Sequence, residues 1–249
     1  MKIVDAVWEQ KNLGKKTAEI VIGSVEDEFN ISDLLAVEEN FEYVVVKVNS
    51  QAACRLYPLQ ESGYKFIETQ ISLTKNLKRI EDNNKLDKIS KDIKFTEVNT
   101  YEDFVSTLNE LTLDMFYTDR IALDPEFGVT IANKRYRNWL TDEFNSSRSQ
   151  IFSIERKDKK IGFAMARDSE ESVDILLGGI FSEYQNLGLG YNLIYQPIKY
   201  YEALGKKRLN TKVSSNNMNV IKLYMDLGYT INGIDYILVK HILNSRKTL

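Results

Sequence analysis

Apolar positions along this chain fall into recurring strand and helix patterns. Residues 41–48 (Phe-Glu-Tyr-Val-Val-Val-Lys-Val) form a nearly continuous β-branched run, which predicts a central strand. Residues 53–57 predict a helix end, and residues 65–73 after Gly63-Tyr64 predict an alternating strand. Thr100 followed three residues later by Asp103 resembles a helix start, with Thr100 as N-cap. Residues 151–155 and 160–166 predict a hairpin around the charged turn Arg156-Lys157-Asp158-Lys159. Strands are predicted at 172–180 and 207–213, a helix from Tyr191, a second helix over 217–224, and a last strand after Gly228-Tyr229. This order predicts a mixed α/β fold, a central sheet with helices on both faces.

The pattern also repeats. Leu56-Tyr57, then Gly63-Tyr64 and an alternating strand, parallels Leu223-Tyr224, then Gly228-Tyr229 and an alternating strand. Between the copies, residues 80–94 are highly charged and predict an exposed connector or solvated helix. The expected organisation is an N-terminal half over 1–79, the connector over 80–94 and a second half over 95–249. In the first 50 residues the only glycines are Gly14 and Gly23, and neither belongs to a phosphate loop. The N-terminal half is therefore expected to be degenerate, to extend the second half's sheet, and to hold Tyr57 as a structural residue.

The richest segment is Gln185-Asn186-Leu187-Gly188-Leu189-Gly190, set between the strand ending at Ile180 and the helix from Tyr191. Glycines let a backbone approach a ligand closely, and the unpaired N–H groups of a helix's first turn point at an anion. Gln-x-x-Gly-x-Gly after a strand, followed by Asn217-x-x-Val220-Ile221-x-Leu223-Tyr224 and Leu227-Gly228-Tyr229, resembles the GCN5-related N-acetyltransferases (GNAT) over roughly residues 150–243. The resemblance implies two tandem GNAT-like halves, the second binding acyl-coenzyme A as co-substrate. It implies that the loop through Tyr191 holds the pyrophosphate and that the pantetheine arm adds along Gly178 and Ile180. It implies further that Tyr224 is the general acid for the departing thiolate. Asn217 is expected to bond the pantetheine or to cap its helix. Gly178-Gly179 predicts a bulge or splay that frees backbone groups, or else close helix packing. It could also widen the thioester end for a chain longer than acetyl, such as 3-hydroxybutyryl. No base is assigned: His241, the lone histidine, reads as structural or exposed, while Glu183 and a water relay stay open.

Composition narrows the classes. The chain has 249 residues, 43% apolar and 28% charged, with a formal charge of −3. That balance suits a globular protein and argues against a general nucleic-acid binder. One cysteine, Cys54, excludes an internal disulfide, and one histidine leaves no His-rich metal site, so no metal is expected. With no apolar run of spanning length and no signal-peptide core, the expectation is a cytoplasmic protein that does not enter the membrane. A homodimer is the default guess, since dimers are the commonest homo-oligomers.

The acceptor is sought in residues 119–127 and 136–140, where charged and aromatic side chains crowd together. Asp119-Arg120-x-x-x-Asp124-Pro125-x-Phe127, the later Tyr136-x-x-Trp139 and the worn first copy are similar to the nucleotide-sugar branch of the superfamily. Its members acylate a dTDP-linked amino-dideoxy sugar for bacterial surface glycans. On that resemblance Asp119, Arg120, Phe127, Tyr136 and Trp139 are candidate acceptor contacts, and Arg120 or Arg135 a candidate phosphate partner. The competing readings are an N-acetyltransferase for another amine (a protein N-terminus, an antibiotic, a polyamine) and a non-catalytic acyl-coenzyme A sensor.

Overall fold

The computed structural model describes residues 1–79 and 84–242. The elements run β1 (Lys2–Asp5), α1 (Val7–Leu13), β2 (Thr17–Ile22), α2 (Ile31–Glu38), β3 (Tyr43–Asn49), α3 (Leu56–Glu61) and β4 (Lys65–Asn76). Then follow α4 (Asn84–Ile89), β5 (Ile93–Glu97), α5 (Tyr101–Asn109), α6 (Arg120–Leu123), α7 (Gly128–Ser146), β6 (Gln150–Arg156), β7 (Lys159–Asp168) and β8 (Ser172–Ile180). The described residues continue with α8 (Gly190–Ala203), β9 (Arg208–Ser214), α9 (Met218–Asp226) and β10 (Thr230–His241). Of the stretch read as a connector, residues 80–83 lie outside the described residues, and the rest holds α4 and the start of β5.

Local chemistry explains the boundaries. Thr100 caps α5 as its hydroxyl accepts from the Asp103 N–H and donates to the Asp103 carboxylate. Asn30, Asp119 and Asn217 cap α2, α6 and α9 in the same way. The β6–β7 hairpin closes through Lys157 and Asp158, both at positive φ (50° and 60°), the two-residue turn whose twist matches the strands.

The ten strands of the described residues form one sheet in the order β1-β2-β3-β10-β4-β9-β8-β7-β6-β5. Pairing is antiparallel except for β2–β3 and β8–β9. The apolar side chains of α2, α3, α8 and α9 cover one face, and those of α1, α5, α6 and α7 the other.

The halves are interleaved. Strand β4 of the N-terminal half lies between β10 and β9, and β10 lies between β3 and β4. Shifted by 165 positions, Tyr43–Asn49 falls on Arg208–Ser214 and Lys65–Asn76 on Thr230–His241, end to end. The same shift maps the pair Tyr43↔His241 onto Arg208↔Asn76 and leaves Gln70↔Asp235 mapped on itself. A pseudo-two-fold axis therefore passes through the Gln70–Asp235 pair, and each half gives its last strand to the other. Under this shift Tyr224 corresponds to Leu59, which is fully buried, whereas Tyr57 is 69% exposed. The Leu-Tyr match in the sequence was two residues out of register.

Candidate active site

Strands β8 and β9 pair from Ser172↔Arg208 to Ile175↔Thr211 and then separate. Beyond that point Leu177 to Ile180 keep only β7 as a partner, and Lys212 to Ser214 keep only β4. The corresponding parallel pair of the N-terminal half, β2–β3, is zipped over all six residues of β2. Among the described residues, only the second half thus holds an open notch between parallel strands. The notch does not come from Gly178-Gly179: the irregularity in β7–β8 falls at Leu176, between the pairs Met165↔Leu177 and Ala166↔Ile175. The glycines serve packing. A Cβ on Gly178 would lie 3.0 Å from Leu193 of α8, and one on Gly179 would lie 2.2 Å from the Met115 methyl.

Below the notch lies the glycine loop. Gln185 reaches back to donate to the Ile180 carbonyl at 3.1 Å, tying the loop to the strand's end. Asn186 and Gly188 both have positive φ (62° and 73°), and a Cβ on Gly188 would touch nothing. Glycine at 188 is therefore set by backbone conformation. Leu187 is exposed and Leu189 buried. Helix α8 starts at Gly190 with no side-chain cap, so no capping side chain satisfies the first N–H groups. Alternating left-handed residues before an uncapped helix start make a concave anion site. Gly190 also brings α8 against α9, since a Cβ there would sit 3.0 Å from Leu223. Tyr191 turns its hydroxyl away to Asp226 at 2.9 Å.

Tyr224 lies at the vertex of the notch. It is buried, packs edge-on to Tyr229 at 4.7 Å, and its hydroxyl lies near Thr211, the last β9 residue paired with β8. Burial pushes its pKa up to about 12, partly offset by the neighbouring Thr211 hydroxyl, so the phenol is protonated at neutral pH. Asn217 accepts from the Val220 N–H and so caps the helix that carries Tyr224.

The acceptor candidates divide into two groups. The segment between α5 and α6 lies over Gly179 through Met115 and Phe116, and Thr112 bonds Ser182 beside the loop. Phe116 meets Tyr136 at 4.7 Å, and Tyr136 meets Trp139 at 6.3 Å. Asp119 accepts from the Tyr136 hydroxyl at 2.8 Å while capping α6. Asp119, Tyr136 and Trp139 thus continue the wall beside the notch. Arg120 and Phe127 face elsewhere. The Arg120 guanidinium is buried between Glu9 (3.0 Å) and Glu19 (2.9 Å), and Arg135 is bound to Glu9. Both cations join the two halves and neither is free for a phosphate. Arg137 donates to the carbonyls of Leu108 and Leu111. Phe127 packs edge-on to Tyr43 and against His241, which is held by Asp124, Glu126 and Lys15.

One group escaped the sequence reading. Glu68 of β4 is 4% exposed, with one oxygen accepting from the Arg120 N–H and the other without a partner. Burial raises its pKa, against the opposing effects of the neighbouring Ser214 hydroxyl and the Arg120 charge. Ser214 ends β9 just past the notch, so strand exchange carries an N-terminal carboxyl to the second half's site. The available signal was the polar run Glu68-Thr69-Gln70 inside an apolar strand pattern.

Comparisons with known proteins agree with this geometry. The model of the acetyltransferase (GNAT) family matches residues 110–229, the segment that holds notch, loop and Tyr224. Over that segment, just under half of the chain, the sequence is similar to the GNAT acetyltransferases, enzymes that transfer acyl groups from coenzyme A. Among solved structures, a conserved protein of unknown function from Staphylococcus epidermidis aligns with TM-score 0.60 at 13% identity, covering 95% of this chain and 89% of that one. A tandem GNAT protein from the clavulanic acid biosynthesis pathway aligns with TM-score 0.57 at 12% identity, covering 92% and 76%. A GCN5-related N-acetyltransferase from Sphaerobacter thermophilus aligns with TM-score 0.58 at 12% identity, covering 80% of this chain and 60% of that one. At such identities these matches establish the fold, and the chain spans 60% of the length of the last. Comparison with curated protein sequences gives no significant match. No described helix is long and apolar enough to cross a membrane. Among the described residues no group of three or more His, Cys, Asp or Glu is placed to hold a metal.

Proposed function

We propose that this chain moves an acyl group, acetyl by default, from coenzyme A to the amine of a dTDP-linked amino-dideoxy sugar. The observation that carries acyl transfer is the β8–β9 notch, with an anion site at its foot and the Tyr224 hydroxyl at its vertex. The backbone of residues 186–191 holds the pyrophosphate, and the unpaired edge from Leu177 to Ile180 pairs with the pantetheine amides. Support for a ring-shaped acceptor comes from the wall of Phe116, Tyr136 and Trp139 beside Gly179. The room that Gly179 leaves is filled by Met115, so a four-carbon acyl chain needs that flexible side chain to move.

The neutral amine attacks the thioester carbonyl, forming the C–N bond. As the C–S bond breaks, Tyr224 gives its proton to the departing sulfur. Glu68 is the group positioned to take the proton released by nitrogen, directly or through water, because its raised pKa makes it a stronger base than an exposed carboxylate.

The test is thiol release from acetyl- and 3-hydroxybutyryl-coenzyme A against a panel of dTDP-amino sugars. Turnover with one of them is the expected result. Silence across the panel, with coenzyme A still bound, would sink the sugar assignment and favour another amine or a sensor.

A further inference from the structure

The burial of Arg120 and Arg135 leaves the acceptor's phosphates without the cations that the sequence offered. The sheet face beside the notch offers another set. Ser214 and Lys212 of β9 lie opposite Gln70 and Ser72 of β4, so all four side chains share a face. It is the face that carries Glu68, on the side of α6 and α7. Gln70 and Ser72 are half-buried, and among the described residues neither side chain makes a hydrogen bond. Half-buried polar groups that stand unpaired in a central strand are costly unless water or a ligand meets them. The residue of β10 opposite Ser72 is Gly233, so nothing from that side covers it. Lys212, with a side chain 55% exposed, reaches over β4 to Asp235 at 3.4 Å, a long contact made by an exposed cation.

We infer that the acceptor cleft is shared between the two halves, with Gln70 and Ser72 of the exchanged strand binding the sugar ring and Lys212 binding the diphosphate. This rests on the acyl-transfer reading above. It makes the N-terminal half a specificity element, supplied by strand exchange, even though its own β2–β3 pair is closed. Gln70 and Ser72 offer neutral donors and acceptors, which suit ring hydroxyls, and a polycationic amine would find Lys212 repulsive.

The experiment is steady-state acylation of the dTDP-amino sugar panel by acetyl-coenzyme A, with Gln70→Leu, Ser72→Ala, Lys212→Met and Gly233→Val. Gly233→Val fills the floor, and its Cβ would meet Ser72 at an ordinary 3.5 Å, so it tests the cleft without removing a bond. Gln70→Leu, Ser72→Ala and Lys212→Met are each expected to raise the acceptor KM by roughly 5- to 10-fold, the size of one lost hydrogen bond or ion pair. Gly233→Val is expected to raise it by crowding the ring. The KM for acetyl-coenzyme A should stay within about twofold, as the nucleotide loop is untouched. Inhibition by dTDP should weaken in Lys212→Met alone, and more so at low salt. Unchanged acceptor KM, or an equal rise in both KM values, overturns the shared cleft. If the wild type acylates spermidine or a peptide amine and no dTDP sugar, the sugar assignment falls separately. The cleft is then judged with that amine, and it stands only if Gln70→Leu and Gly233→Val raise its KM.

Discussion

Glu9→Gln removes one charge from the ionic cluster that joins the halves while keeping the side chain's volume. Glu9 is fully buried and accepts from Arg120 at 3.0 Å and from Arg135 at 2.6–2.9 Å. Arg120 keeps Glu19 at 2.9 Å, but Arg135 loses its only ion-pair partner among the described residues, with a side chain 14% exposed. Breaking a buried pair from one side costs about 3–5 kcal/mol, because the abandoned charge stays desolvated. The glutamine oxygen can still accept one bond, which places the expected loss near the lower end, about 3 kcal/mol. With a urea slope of roughly 2 kcal/mol per molar, the unfolding midpoint should fall by about 1.5 M. Because α1 belongs to one half and α6 and α7 to the other, one cooperative transition should shift rather than one of two. Adding Arg135→Met to Glu9→Gln should recover more than half of the loss, since the stranded cation is gone. A loss under about 1 kcal/mol, or a double variant no better than the single one, would refute a cluster that holds the halves together.

Four further outcomes are expected. Tyr224→Phe should lower kcat by about 100-fold, as for removal of a general acid, and leave the KM for acetyl-coenzyme A unchanged; an unaffected kcat would remove Tyr224 from the chemistry. Glu68→Gln should lower kcat and flatten the acid limb of its pH profile; its folded pKa is raised, which costs stability as pH rises, so the variant should also melt higher at pH 7. Gly188→Ala, at φ 73° with open space around it, should strain only the loop by about 1–2 kcal/mol, weakening acetyl-coenzyme A roughly 5- to 30-fold with little change in Tm. Arg120 and Lys47 outweigh burial and bring the pKa of Glu19 down to about 2, so its contribution is complete above the usual carboxylate range and is lost as pH falls toward 2; denaturation midpoints measured from pH 6 to pH 2 should drop, and Glu19→Gln should blunt that drop.

The sequence alone determined the local elements and the place of the glycine loop. Thr100 as a cap, the turn at Lys157-Asp158, β8 over Ser172–Ile180 and the glycine loop before α8 were all legible, because each depends on neighbours a few residues apart. The repeat was legible as well, though Tyr57 was matched to Tyr224 two residues out of register, since only strand pairing fixes which residues are equivalent. Tertiary structure decided the rest. Arg120 and Arg135 read as phosphate partners, yet the fold spends them on Glu9 and Glu19, acids more than 100 residues away in the chain. Glu68, Gln70 and Ser72 read as an ordinary strand of a worn copy, and only the exchange of β4 and β10 sets them beside β9. Helix starts and turns are written in short-range hydrogen bonds. Which carboxylate meets which cation, and which half owns a strand, is settled by contacts that no local pattern encodes.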